Sequence, residues 1–177
     1  VTQVRFRDAQ GTVISEDPIL AARTFSFETF ASAADVELKI TLEDDAINDA
    51  HILDVDDADD TDEVEILSFT IEIEGDSDVT IDEIPVEITT NGMNIDDSIP
   101  AAYLYADGEE IGSENLSETD TDETVVFDNL DFEISGGDEV EFIVKVDIND
   151  LDSTVGAEVA EGDTIQAQIT SAERADI

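Results

Sequence analysis

The chain has no cysteine and no tryptophan, one methionine, three prolines and six basic residues among 177. Without cysteine there is no disulfide framework, no thiol nucleophile and no thiolate metal site. His51 is the sole imidazole, too few nitrogen and sulfur ligands for zinc. A Ser–His–Asp triad would have to use His51, and the chain has no Gly-x-Ser-x-Gly elbow. There is no Gly-rich phosphate loop. Acids suited to paired-carboxylate glycoside hydrolysis are plentiful, but only Tyr103 and Tyr105 remain as a sugar platform. His51 reads as a surface residue, and the chain reads as a non-enzyme. No apolar run approaches the ~20 residues of a membrane-spanning helix.

Acid is what the chain has in excess. Asp and Glu total 49 against six Lys and Arg, a formal charge of −43. Such a field repels nucleic acid and anionic membrane. The expected partners are copies of the chain or adjacent domains of the same protein, with no nucleic acid and no membrane insertion. Apolar residues still make up 41%, enough for one substantial core. The chain begins at Val1 without methionine or a signal-peptide pattern. It reads as a processed chain or an excised piece of something longer.

The apolar residues alternate. Val36, Leu38, Ile40 and Leu42 are separated by polar residues, as are Leu67, Phe69, Ile71 and Ile73. Val140 through Ile148 and Ile165 through Ile169 repeat the pattern. A period of two predicts strands with one face on a core and one in water, as in antiparallel sheets. Phe25 and Phe27 mark a weaker strand, and Ala101–Ala106 and Val125–Ile134 two more. Val79 and Ile81 are out of phase with Ile84, Val86 and Ile88. That slip at Asp82–Glu83 predicts a bulge or bend. Pro85 lacks a ladder donor, which predicts an edge strand or one that switches sheets. Asp107-Gly108 predicts a two-residue hairpin, with further turns at Gly75–Asp78, Asn91-Gly92 and Gly136–Asp138. Helix is expected only as a turn near Ala31–Ala34 or Ala46–His51. The fold class predicted is all-β, an antiparallel β-sandwich of immunoglobulin-like or jelly-roll-like form with acidic loops. The expected division is a strand segment over residues 1–23 and a sandwich over residues 24–177.

Between Lys39 and Lys145 there is no basic residue, and those 105 positions hold 35 acids. Like charges this dense oppose compaction unless salt or bound cations offset them. General salt adaptation accounts for acids on outward strand positions. Clusters raise calcium, which takes six to eight oxygen ligands from carboxylates and carbonyls. The first cluster is Asp54, Asp56, Asp57, Asp59, Asp60 and Asp62. It has no EF-hand register, and a solvated acidic linker is the alternative. The second is Asp147, Asn149, Asp150 and Asp152, at the end of a strong strand. It resembles the Asp-x-Asn-Asp-Asn linker of cadherins, with Leu151 in place of the second Asn; an Asx-turn is the alternative. Ca²⁺ is therefore the expected cofactor.

Several runs together resemble a known type of module. They are Leu67 to Gly75, Val86 to Thr89, Ala102 to Gly112 with its Tyr-Leu-Tyr-Ala-Asp-Gly core, Val126 to Ile134, Val140 to Ile148, and Asp163 to Ala167. The chain from about Phe25 to Ile177 resembles the repeated acidic β-sandwich domains of large secreted surface proteins from uncultured bacteria and archaea. The resemblance implies an extracellular structural module, often in tandem, and brings no catalytic residues. The expected role is a unit of a cell-surface layer, stalk or filament, with a calcium-dependent adhesin module as the alternative. The segment before it, with Val4, Arg5, Phe6 and Arg7, is the one locally basic part of the chain. It is expected either to pair within its own domain or to add as a strand to a neighbouring copy.

Overall fold

The computed structural model describes residues 4–7, 13–16, 36–151, 159–170, 173–175 and 177. The Phe25/Phe27 strand, the turn near Ala31–Ala34 and Asp152 lie outside the described residues. The chain divides into two units, Val1–Ser32 and Ala33–Ile177.

In the first unit β1 (Val4–Arg7) and β2 (Val13–Glu16) pair antiparallel, with Phe6 opposite Ile14.

The second unit is all-β. Its strands are β3 (Glu37–Leu42), β4 (Thr61–Glu74), β5 (Val79–Ile81), β6 (Ile84–Asn91), β7 (Ala101–Ala106), β8 (Glu109–Asn115), β9 (Asp122–Phe127), β10 (Phe132–Ile134), β11 (Glu139–Ile148) and β12 (Thr164–Gln168). A single helical turn, α1 (Ile95–Ser98), precedes β7, and a 3-10 turn at Glu173–Ala175 follows β12. Three antiparallel sheets result, in the orders β3-β4-β11-β7-β8, β12-β6-β9 and β10-β5.

The alternation read from the sequence sets which face is buried. Leu67, Phe69, Ile71 and Ile73 of β4 and Phe142, Val144, Val146 and Ile148 of β11 are all buried. With Ile84, Val86 and Ile88 of β6 and Val125 and Phe127 of β9 they form one core cluster. Phe69 and Phe142, opposite each other in the ladder, stack at 5.3 Å, and Phe132 meets Phe142 edge-on at 5.6 Å. Each such buried side chain contributes roughly 1.5–3 kcal/mol. The outward positions carry the acids: Glu74, Glu139 and Glu141 are exposed, and Glu72 is half-buried. Ser68 and Thr70 depart from this. They lie on the outer face, yet are buried, because β4 runs between two neighbours and both side chains are short.

Three local expectations are narrowed or change. First, of the two expectations at Pro85, an edge strand or a switch of sheets, the structure has the switch, and β6 is the centre of its sheet. The phase slip at Asp82–Glu83 is where the chain leaves one sheet, β5 on β10, and enters another, β6 between β12 and β9. Pro85 is tolerated because β12 pairs only as far as Glu87; at Pro85 only β9 is alongside. Second, Val125–Ile134 is two strands. Asn129 and Asp131, with φ of 55° and 47°, break it. Asn and Asp accept this left-handed conformation better than most residues. Third, α1 carries apolar Ile95 inward and is too short to show a helical period. The Asp107-Gly108 hairpin forms as expected, with both residues at positive φ.

Candidate functional site

The two acidic segments, distant in sequence, meet at one end of the five-stranded sheet. The amide of Leu151 donates to the Asp56 carbonyl at 3.1 Å. The amide of Glu63 donates to Asp147 Oδ1 at 2.9 Å. The second contact has a clear local cause. Opposite Asp147 the ladder slips: Val146 faces Val64 and Ile148 faces Thr61, so Asp62 and Glu63 share one partner. This is a β-bulge. Glu63 takes a φ of 53° there, and the Asp147 carboxylate accepts the amide that the ladder leaves unpaired.

Asp147 has a second partner. The Tyr103 hydroxyl donates to its Oδ2 at 2.6 Å. That bond, with smaller contributions from burial and the surrounding negative charge, pushes the Tyr103 pKa from 10.0 up to about 12. On the same face Lys145 sits 4.4 Å over the Tyr105 ring and pairs with Glu65 at 3.5 Å and Glu63 at 3.7 Å. The Tyr105 pKa is also raised, first by burial and then by Glu63.

The other expected ligands are arranged differently. Asp56 Oδ1 accepts from the amides of Ala58 at 2.9 Å and Asp59 at 3.4 Å. That is an Asx-turn, and it fixes the tip of the loop. Asp54, Asp57, Asp59, Asp60 and Asp62 are exposed along it. Asn149 ties the other segment to α1: its amide donates to the Ser98 carbonyl at 3.0 Å, and its side chain donates to the Asp97 carbonyl at 2.8 Å. Asp150 is half-buried. Among the described residues no three Asp, Glu or His side chains converge as a metal-holding group. His51 is exposed, its Nδ1 at 2.8 Å from the Asp49 carbonyl.

The sequence thus names Asp147 and Asn149 but not the company they keep. Tyr103, Tyr105, Lys145, Glu63 and Glu65 complete the cluster. A signal for part of it was available. Tyr103 and Tyr105 share a parity, Lys145 and Asp147 share another, and the ladder sets Lys145 opposite Tyr103. The register that joins them is a long-range property that alternation does not encode. No helix of the described residues is long and apolar enough to cross a membrane. A scan against protein-family models finds no match to this chain, and a search of curated proteins finds none either.

Proposed function

We propose that the chain is an extracellular structural module of β-sandwich form, self-associating within a cell-surface layer, stalk or filament and stabilised by calcium at its acidic end. The observation that supports this most is the meeting of Asp54–Glu63 with Asp147–Asp150 at one end of the sheet, held by the Leu151–Asp56 and Glu63–Asp147 hydrogen bonds. Two loops that carry only oxygen donors, anchored to a rigid ladder, suit a hard cation. A cation placed there offsets the densest charge of the chain and stiffens the end where a neighbouring module would join. The rest of the body fits a scaffold role, with an apolar core inside antiparallel sheets and carboxylates on the outward strand positions.

The test is thermal melting in EDTA, Ca²⁺, Mg²⁺ and NaCl at matched ionic strength, with light scattering in parallel. A ligand bound only to the native state adds about 2.7 kcal/mol at a hundredfold excess over Kd. The expected result is a Tm in Ca²⁺ above that in NaCl of equal ionic strength. Equal values would leave the acidity as salt adaptation and remove the calcium site. A chain that scatters as a monomer under every condition would remove the structural role.

A further inference from the structure

The five-stranded sheet is wider than the three-stranded sheet that shares its core. At the β8 side the two close: Leu130 and Phe127, which follow and end β9, pack against Gly112 of β8, where a Cβ would lie 3.0 Å from Leu130. At the opposite side they do not. A groove of about 550 Å³ runs between β3, β4 and β12, and its apolar lining includes Ile40, Leu42, Leu53, Phe69, Ile165 and Ala167. Leu42 is 55% exposed there, although its parity is that of the core. Both strands along the groove, β3 and β12, end their sheets, so each has one edge unpaired among the described residues. An apolar groove beside an unpaired strand edge is the setting in which strand addition satisfies backbone donors and acceptors and buries alternate side chains together.

The same chain contains a sheet with the opposite deficiency. β1 and β2 form a sheet of two strands, and a two-stranded hairpin on its own is marginal in water. Their unit, Val1–Ser32, has four acids and three arginines, whereas the remaining residues have 45 acids and three basic residues. The hairpin is therefore the nearly neutral part of a strongly acidic molecule. The groove is bordered by the acidic segment that begins at Glu43; its wall carries both Asp49 and Arg174, so the acidic character lies in that border and not in the groove lining.

We propose that the groove accepts the β1–β2 hairpin of a second copy, one hairpin strand adding to the free edge of β12. The residues Val4 and Phe6 would meet the apolar groove, and Arg5 and Arg7 its acidic border. Each copy then offers a donor at one place and an acceptor at another, a heterologous contact that propagates rather than closes. This rests on the self-associating reading above and names the surfaces that perform it.

The experiment uses the full chain and measures association by light scattering and sedimentation over a range of concentrations. Leu42→Glu blocks the groove at an exposed position. Deletion of residues 1–16 removes the hairpin, and Arg5→Glu with Arg7→Glu reverses the charge of its first strand. Each variant is expected to weaken association at least tenfold with an unchanged circular dichroism spectrum. The deletion and Leu42→Glu chains, mixed, are expected to form a heterodimer that grows no further, since one supplies only a groove and the other only a hairpin. Val126→Glu, at an exposed site on β9, is expected to assemble normally. If the wild type assembles and all variants do so equally, the groove is not the acceptor and the self-associating reading survives. If the wild type is monomeric throughout, both fall. If Leu42→Glu unfolds, the charge-reversal variant decides the matter: normal assembly overturns the proposal.

Discussion

Replacing Asp147 with alanine removes two acceptors with one change. The Glu63 amide at the bulge and the Tyr103 hydroxyl both lose their partner. Hydrogen bonds to a charged group contribute roughly 1.5–3 kcal/mol when buried, but this site is half-buried and partly screened. The combined loss is therefore about 2 kcal/mol, which lowers Tm by roughly 4–8 °C in a domain of this size. The pH dependence carries a sharper signature. The Tyr103 pKa is raised from 10.0 to about 12 in the folded chain, so the stabilisation tied to its proton is fully present below pH 10. It fades as the pH rises towards 12. The Tm gap between wild type and Asp147→Ala should accordingly narrow over that window. The chain has two tyrosines and no tryptophan, so tyrosinate absorbance follows the two phenols with little background. In the variant one of them should titrate closer to pH 10. A tyrosine titration that overlays that of the wild type would show that Asp147 does not hold the Tyr103 proton, and the reading of this site would fail.

Asn48 uses its side-chain amide as a peptide group: it donates to the Ser68 and Glu43 carbonyls at 2.7 Å and accepts from the Ser68 amide at 3.0 Å. Asn48→Ala strands the amide of buried Ser68, whose carbonyl keeps the Glu43 amide at 3.2 Å, and chemical denaturation should show a loss of about 1–3 kcal/mol. At Gly136 a Cβ would lie 2.6 Å from the backbone of Asp76 and Ser77. Gly136→Ala must push the Gly75–Asp78 turn away, with an expected loss of about 1–3 kcal/mol in the same assay. Lys39 binds Glu72 at 3.0 Å, and Lys39→Gln should lower Tm at low ionic strength but not in molar NaCl; an equal loss at both would contradict an electrostatic role.

Strand positions and inward faces were legible because they depend on a period of two, which is written locally. The phase slip before Ile84 was legible as an irregularity. The slip alone does not give its meaning, because a bend, a bulge and a change of sheet all produce the same offset of parity; only Pro85 beside it points to the change of sheet. Pro85 suggested an edge or a switch of sheets for a sound reason, the missing donor, and the switch is what the structure has. The sheet satisfies that reason with the shortness of β12, a fact about another strand 80 residues on. The acidic segments were visible as composition, but their meeting was not. It depends on β4 and β11 pairing over ten residues of β11 with two slips in register, and each slip moves which side chains become neighbours. Tyr103 illustrates the limit. Its parity is readable, whereas its partner, 44 residues away, follows from that register alone.

The ladder also shows that the acids do two different things. On the outer face of the five-stranded sheet some stand directly opposite one another: Glu37 faces Glu74, and Glu72 faces Glu139. Two carboxylates about 5–6 Å apart in water repel by roughly 0.7 kcal/mol, and opposite like charges weaken a sheet. The only two lysines of the chain are placed where this matters. Lys39 lies opposite Glu72 and reaches Glu74 as well, at 4.0 Å. Lys145 lies opposite Glu65 and reaches Glu63. The remaining acids of that face have no such relief, and for them mobile ions suffice. At ~1 M salt the screening length is about 3 Å, shorter than the cross-strand spacing. The loop from Asp54 to Asp60 differs in kind. Its carboxylates follow one another along the chain without an intervening base, so no register can set a lysine among them. Salt screening and the proposed cation thus bear on different parts of the molecule. Screening suits the sheet faces, where charges are spread at strand spacing. The calcium proposed above is placed on the loop, where exposed carboxylates follow one another along the chain.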